Sequence, residues 1–175
     1  VVAVALNIKN ESEISHAPEA FSAIQQAMKH SRDARAHTYT EGRYHLAVFA
    51  SGDRKTNSFN ALRAAKGMVE ALADYNRRHA TKIDYSAGIN MGEMIIEYIN
   101  GKAKFTSVGT TIVTAKMASE RAERAIVISA AVHRALSGVA KGEALPGGNF
   151  WKVTNIIDRE KHSEFINKFM KRQQK

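Results

Sequence analysis

Apolar residues along the chain follow two rhythms, one of period two and one near 3.6. Residues 1–8 (VVAVALNI) form a valine-rich run that predicts a buried central strand, with Asn7 at its exit. Pro18 suits the first turn of a helix, and Phe21, Ile24, Ala27 and Met28 then recur at helical spacing. Residues 34–40 and 44–50 read as two strands turning at Glu41-Gly42. In the second, Leu46 and Val48 alternate with His45, Ala47 and Phe49, so both faces are partly apolar. A polar loop at 51–56 precedes the longest helix. Asn57 or Ser58 is its expected cap, Phe59, Leu62, Ala65, Val69 and Leu72 its stripe, and His79 its end.

The stretch from Lys82 to Ala122 is the densest in signals. Ile83, Tyr85 and Ala87 alternate with Asp84 and Ser86 as in a half-buried strand, and Gly88-Ile89-Asn90-Met91-Gly92 reads as the turn after it. A second strand is expected over 93–99. Val108-Gly109-Thr110-Thr111 then supplies a loop and a threonine N-cap for a helix through Met117. Residues 125–129 predict a buried strand, 130–136 a short helix, 141–149 a turn around Pro146-Gly147-Gly148, 150–157 a last strand and 159–172 a basic helix. The order β-α-β-β-α-β-β-α-β-α-β-α implies a mixed sheet flanked by helices, an α/β or α+β sandwich. One domain is expected over 1–157, with a C-terminal basic helix or linker over 158–175.

Composition narrows the function. The 175 residues are 44% hydrophobic and 25% charged, as in soluble globular chains. No run of eighteen apolar residues and no signal-peptide pattern occurs, which points to no membrane span and a cytoplasmic setting. A first residue already on a strand implies a piece of a longer protein with adjacent domains. The absence of cysteine excludes disulfides, thiolate catalysis and cysteine-ligated zinc. The net charge of +9 raises the question of an anionic partner, yet Arg77-Arg78, Lys102/Lys104, Arg121/Arg124 and Lys171-Arg172 are scattered without interleaved aromatics, which argues against nucleic acid. The seven histidines show no metal-ligand spacing, and Met91, Met94 and Met117 read as core filler. No metal site is expected.

Several segments, taken in order, resemble the catalytic domain of class III adenylate/guanylate cyclases. Gly88-Ile89-Asn90-Met91-Gly92-Glu93 is similar to that family's G-I-H-x-G-E turn, and Phe105-Thr106-Ser107-Val108-Gly109 to its Y-T-V-x-G segment. Met117-Ala118-Ser119-Glu120-Arg121-Ala122 resembles its R-L-x-x-x-A helix, Ile126-Val127-Ile128-Ser129 the strand after it, and residues 61–76 its long helix. The resemblance covers 1 to about 157. It implies a ferredoxin-like nucleotidyl cyclase fold with a mixed, mostly antiparallel sheet. It also implies a mechanism in which two aspartates hold a metal pair that activates the ribose 3′-hydroxyl toward the α-phosphate.

The residues at the implied chemical positions depart from that pattern. The first aspartate, from a D-I-x-x-F-T sequence, matches Asn7 of Asn7-Ile8-Lys9-Asn10-Glu11-Ser12. Asn7 offers one neutral oxygen. The second follows a glycine in the hairpin turn and matches Arg43 after Gly42, a cation where a metal ligand belongs. In the helix motif G-D-x-V-N-x-x-x-R, the ribose-positioning asparagine falls at Val113 and the transition-state arginine at Met117; neither can donate a hydrogen bond. Lys116, one residue off, is turned about 100° away on a helix. The base-selecting lysine falls at Tyr39 and its partner aspartate at Thr110.

The resemblance therefore implies a pseudoenzyme: a homodimerising or signal-relaying module, with no cofactor. Family members assemble each site from two subunits, and this chain lacks both halves. Apolar Val113 and Met117 would favour a drier contact between subunits. The alternatives are an active adenylate cyclase, with Mg²⁺ or Mn²⁺, and a nucleotide sensor without turnover. For the last, Tyr39, Lys102, Lys104 and the Gly109-Thr110-Thr111 helix start form a weak candidate pocket. Asn7 and Arg43 themselves read as either an ordinary loop asparagine and surface arginine or a new anion-binding pair.

Overall fold

A computed structural model of the chain describes residues 1–107 and 109–157. The expected helix at 159–172 lies outside these residues. The order is β1 (Val2–Ile8), α1 (Glu11–Ile14), α2 (Pro18–Asp33), β2 (His37–Glu41), β3 (Tyr44–Phe49), α3 (Arg54–Arg78) and β4 (Tyr85–Met91). There follow β5 (Met94–Ile99), β6 (Lys102–Ser107), α4 (Thr111–Ser119), β7 (Ile126–Ser129), α5 (Ala130–Ala135), β8 (Ala140–Ala144) and β9 (Phe150–Ile156). Seven strands make one mixed sheet in the order β2-β3-β1-β4-β7-β9-β8, and β5 and β6 form a separate hairpin. Only β4 and β7 pair in parallel; the other described pairings are antiparallel.

β1 is the axis, paired to β3 on one side and β4 on the other, with all seven residues buried. Its alternation separates two unequal faces. Val2, Val4, Leu6 and Ile8 pack with Ile24 and Met28 of α2 and Leu62, Met68 and Leu72 of α3. Fully burying each such side chain contributes about 1.5–3 kcal/mol, so this is the main core. The opposite face presents the small Ala3 and Ala5, packed with Leu46, Val48, Ile112 and Ala115. Small residues there let α4 approach closely. The β5–β6 hairpin closes the edge of this second layer, where the Phe105 ring packs tilted against His37 with centroids 4.7 Å apart.

Several expectations change. Gly88-Ile89-Asn90 is the buried middle of β4 rather than a turn, and the turn falls at 92–93. A Cβ on Gly88 would penetrate the Ala115 carbonyl oxygen and the Ser119 amide nitrogen and come within 3.0 Å of Ala118 Cβ. This glycine is therefore the floor under α4. The long helix starts one turn earlier than expected, because Asp53 caps it by accepting from the Thr56 amide at 2.7 Å. Three elements were not anticipated: α1, β6 and β8, the last inside the supposed turn at 141–149.

Gly88→Ala should destabilise the protein by about 3 kcal/mol, since helix backbone rather than a flexible side chain obstructs the methyl. Gly101→Ala, at the hairpin tip with φ +76° and open space around it, should lose only about 1 kcal/mol. Urea denaturation of both variants checks the contrast; equal losses would mean that α4 does not rest on Gly88.

Candidate functional site

Asn7 sits near the end of β1, on the α4 side of the sheet, with Tyr44 and Ser86 as its cross-strand neighbours. It is fully buried. Its Nδ2 donates to Glu120 Oε1 at 3.0 Å. The same oxygen accepts from Arg43 Nη2 at 2.6 Å and from the Tyr44 hydroxyl at 2.6 Å. Three donors from β1, the β2–β3 turn and β3 therefore converge on one carboxylate oxygen. Glu120 is the C-cap of α4, held there by its own amide bonded to the Lys116 carbonyl at 3.2 Å. Lys9 reaches the same loop, donating to the Ala122 carbonyl at 3.1 Å.

The electrostatics follow from this convergence. Burial pushes the Glu120 carboxyl up, but the Tyr44 hydrogen bond and the charges of Arg43 and Lys9 outweigh it and hold it below the usual carboxylate range. Burial and the hydrogen bond to Glu120 raise the Tyr44 phenol, which stays a donor. A second pair lies beside the first: Lys116, largely buried, reaches Glu41 of β2, and its ammonium sits 4.9 Å from the centre of the Tyr44 ring. Lys116 thus points to the edge strand.

A two-metal centre does not fit these residues. The oxygen that Asn7 would offer, Oδ1, is buried, neutral and without a hydrogen-bond partner. Arg43 brings a cation to the adjacent position, and the nearby carboxylate of Glu120 is already committed to it. Among the described residues, no group of three His, Cys, Asp or Glu side chains converges.

The other candidate residues are dispersed. Val113 and Met117 lie one turn apart on the outer side of α4, 53% and 47% exposed. Tyr39 is exposed on the edge strand β2, opposite Leu46. Gly109 adopts φ +87°, and Thr110 occupies the N-cap position of α4 without making a side-chain capping bond. Thr111 is spent on structure: its hydroxyl donates to the Glu93 carbonyl at 3.0 Å, and its own carbonyl accepts from Asn90 at 3.1 Å. Lys102 and Lys104 belong to β6 toward the hairpin tip, with Lys104 across from Glu97. The structure brings Asn7 and Arg43 together on one oxygen and leaves Lys102 and Lys104 on an element apart from the Gly109–Thr111 helix start. Glu120, Tyr44 and Lys9 went unrecognised in the sequence; the signal available was a cation at Arg43 in need of a counter-charge.

The pH dependence of this cluster has a fixed sign. A carboxylate with a lowered folded-state pKa stabilises above its ordinary value, 4.5 for glutamate, and loses that contribution as pH falls through the lower value. Glu120→Gln should be less stable than wild type by roughly 0.5 kcal/mol at pH 7, solvent screening keeping the figure small. The gap should close in acid below the glutamate range. Chemical denaturation across pH checks this, and a gap that widens in acid would contradict it.

No protein-family model matches the chain, and no curated protein matches it. Solved structures do. The guanylate cyclase domain of RhGC from Catenaria anguillulae, solved in complex with GTP, is similar with a TM-score of 0.70 at 16% identity, over 89% of this chain and 96% of that one. A non-canonical dimeric guanylyl cyclase domain of the RhoGC fusion protein from Blastocladiella emersonii gives 0.72 at 16% identity, over 89% and 96%. The adenylyl cyclase CyaB from P. aeruginosa gives 0.65 at 15% identity, over 89% and 94%. The seven-stranded mixed sheet with α4 laid across β1 and β4 is the fold of the class III adenylyl/guanylyl cyclase catalytic domain.

Proposed function

We propose that this chain is a cyclase-fold domain without turnover, which works as a dimerising, regulatory module in signal transduction. The observation that carries the reading is the Arg43–Glu120 ion pair, set on the buried Asn7 amide. A guanidinium and a neutral amide stand where the fold's chemistry calls for two metal-binding carboxylates. The positions that the resemblance assigns to the other half-site, Val113 and Met117, are apolar and exposed on α4.

The apolar surface supports the second half of the proposal. Val113 and Met117 on α4, and Ile95, Tyr98 and Ile99 on the β5–β6 hairpin, are exposed large hydrophobics. Side chains of this kind gain by burial against a second copy. One of the similar solved structures is described as a dimeric guanylyl cyclase domain. Among the described residues, no helix is long and apolar enough to cross a membrane.

Incubation with ATP or GTP and Mg²⁺ or Mn²⁺ should yield no cyclic nucleotide above background. Turnover that disappears on Asn7→Ala would overturn the pseudoenzyme reading. Sedimentation should show a dimer weakened by Met117→Lys; a strict monomer at high concentration would overturn the dimer.

A further inference from the structure

The cluster that excludes a metal has the composition of an anion receptor. Asn7 Nδ2, Tyr44 Oη and Arg43 Nη2 all donate to Glu120 Oε1. Asn7 and Tyr44 are anchored on paired strands, and Arg43 sits in the turn that joins β2 to β3, so these donors are held by the sheet. Their resident is not. The Glu120 side chain is 39% exposed at a helix end, so rotation about its own bonds takes the carboxylate into water without backbone change.

Charge selects the class of ligand. Lys9 and Arg43 both act on Glu120, which answers two cations with one negative charge. The neighbouring Lys116 and Glu41 neutralise each other. A dianion matches the receptor better than a carboxylate does. Asn7 is fully buried, so its Nδ2 is a fixed donor with no water to compete for it. Hydrogen phosphate supplies two charges and several acceptor oxygens for the three donors.

We propose that Asn7, Arg43 and Tyr44 form a metal-independent receptor for a phosphate dianion, with Glu120 as its displaceable internal occupant. The inference rests on the reading that this position has lost its metal centre. It makes the domain a sensor of phosphate or of a phosphate-bearing ligand, and occupancy would free the end of α4 from the β2–β3 turn.

The test titrates inorganic phosphate against the protein in EDTA at constant ionic strength, followed by amide NMR shifts. Glu120→Ala should bind about tenfold more tightly than wild type, because the competing carboxylate is gone. Arg43→Ala in that background should lose about tenfold, acetate should bind more weakly than phosphate, and added Mg²⁺ should not strengthen binding. Glu120→Gln, which keeps the side-chain shape, repeats the measurement should the alanine variant melt early. Equal affinity in wild type and both Glu120 variants, indifference to Arg43→Ala, or no saturable wild-type binding would each overturn the receptor. A null result leaves the absence of turnover standing, since the cyclic-nucleotide assay reads that separately; turnover with bound metal would remove the premise.

Discussion

The close seating of α4 on the sheet is the constraint on which the rest of the structure depends. Gly88 lies beneath the Ala115 and Ser119 backbone, and Gly92 lies beneath the Thr111 side chain. Ala3 and Ala5 of β1 keep the neighbouring floor low. With Ile112, Ala115, Ala118 and Ser119 committed to that contact, the helix has one rotational setting. Val113 and Met117 must then face outward, and Glu120 must arrive over Asn7. Packing of small residues thus decides which side chains reach the chemical end of the sheet.

What arrives there adds little to stability. The Arg43–Glu120 pair is part-exposed, and such pairs contribute roughly 0–1 kcal/mol. The pair also carries no net charge, so it offers a divalent ion none of the negative charge that two carboxylates would, and the Asn7 amide oxygen is neutral as well.

Much of this fold was legible in the sequence because its elements have clean periods. The valine run at 1–8, the stripe from Phe59 to Leu72 and the AIVIS strand gave element types, and the cyclase-like words around Gly88 and Gly109 gave their order. β8 escaped because Ala140–Ala144 is an edge strand of weak β formers with a register shift between Lys141 and Gly142. Gly88 was misread as a turn residue for a local reason: its cause is a helix about thirty residues away, and a glycine seat has no signature along the chain. The Asn7–Glu120 contact joins positions 113 residues apart, so no local pattern encodes it. Asn7 and Arg43 meet on the protein's own Glu120 carboxylate, which neither of the two sequence readings named.

The Arg43–Glu120 ion pair is proposed to occupy the position that holds the metals in active cyclases. Mn²⁺ titration monitored by electron paramagnetic resonance tests it most directly, because protein-bound and free Mn²⁺ differ in signal intensity without any need for turnover. Wild-type protein should leave millimolar Mn²⁺ free, with or without nucleotide. A stoichiometric Mn²⁺ site of micromolar affinity that vanishes on Asn7→Ala would contradict the account.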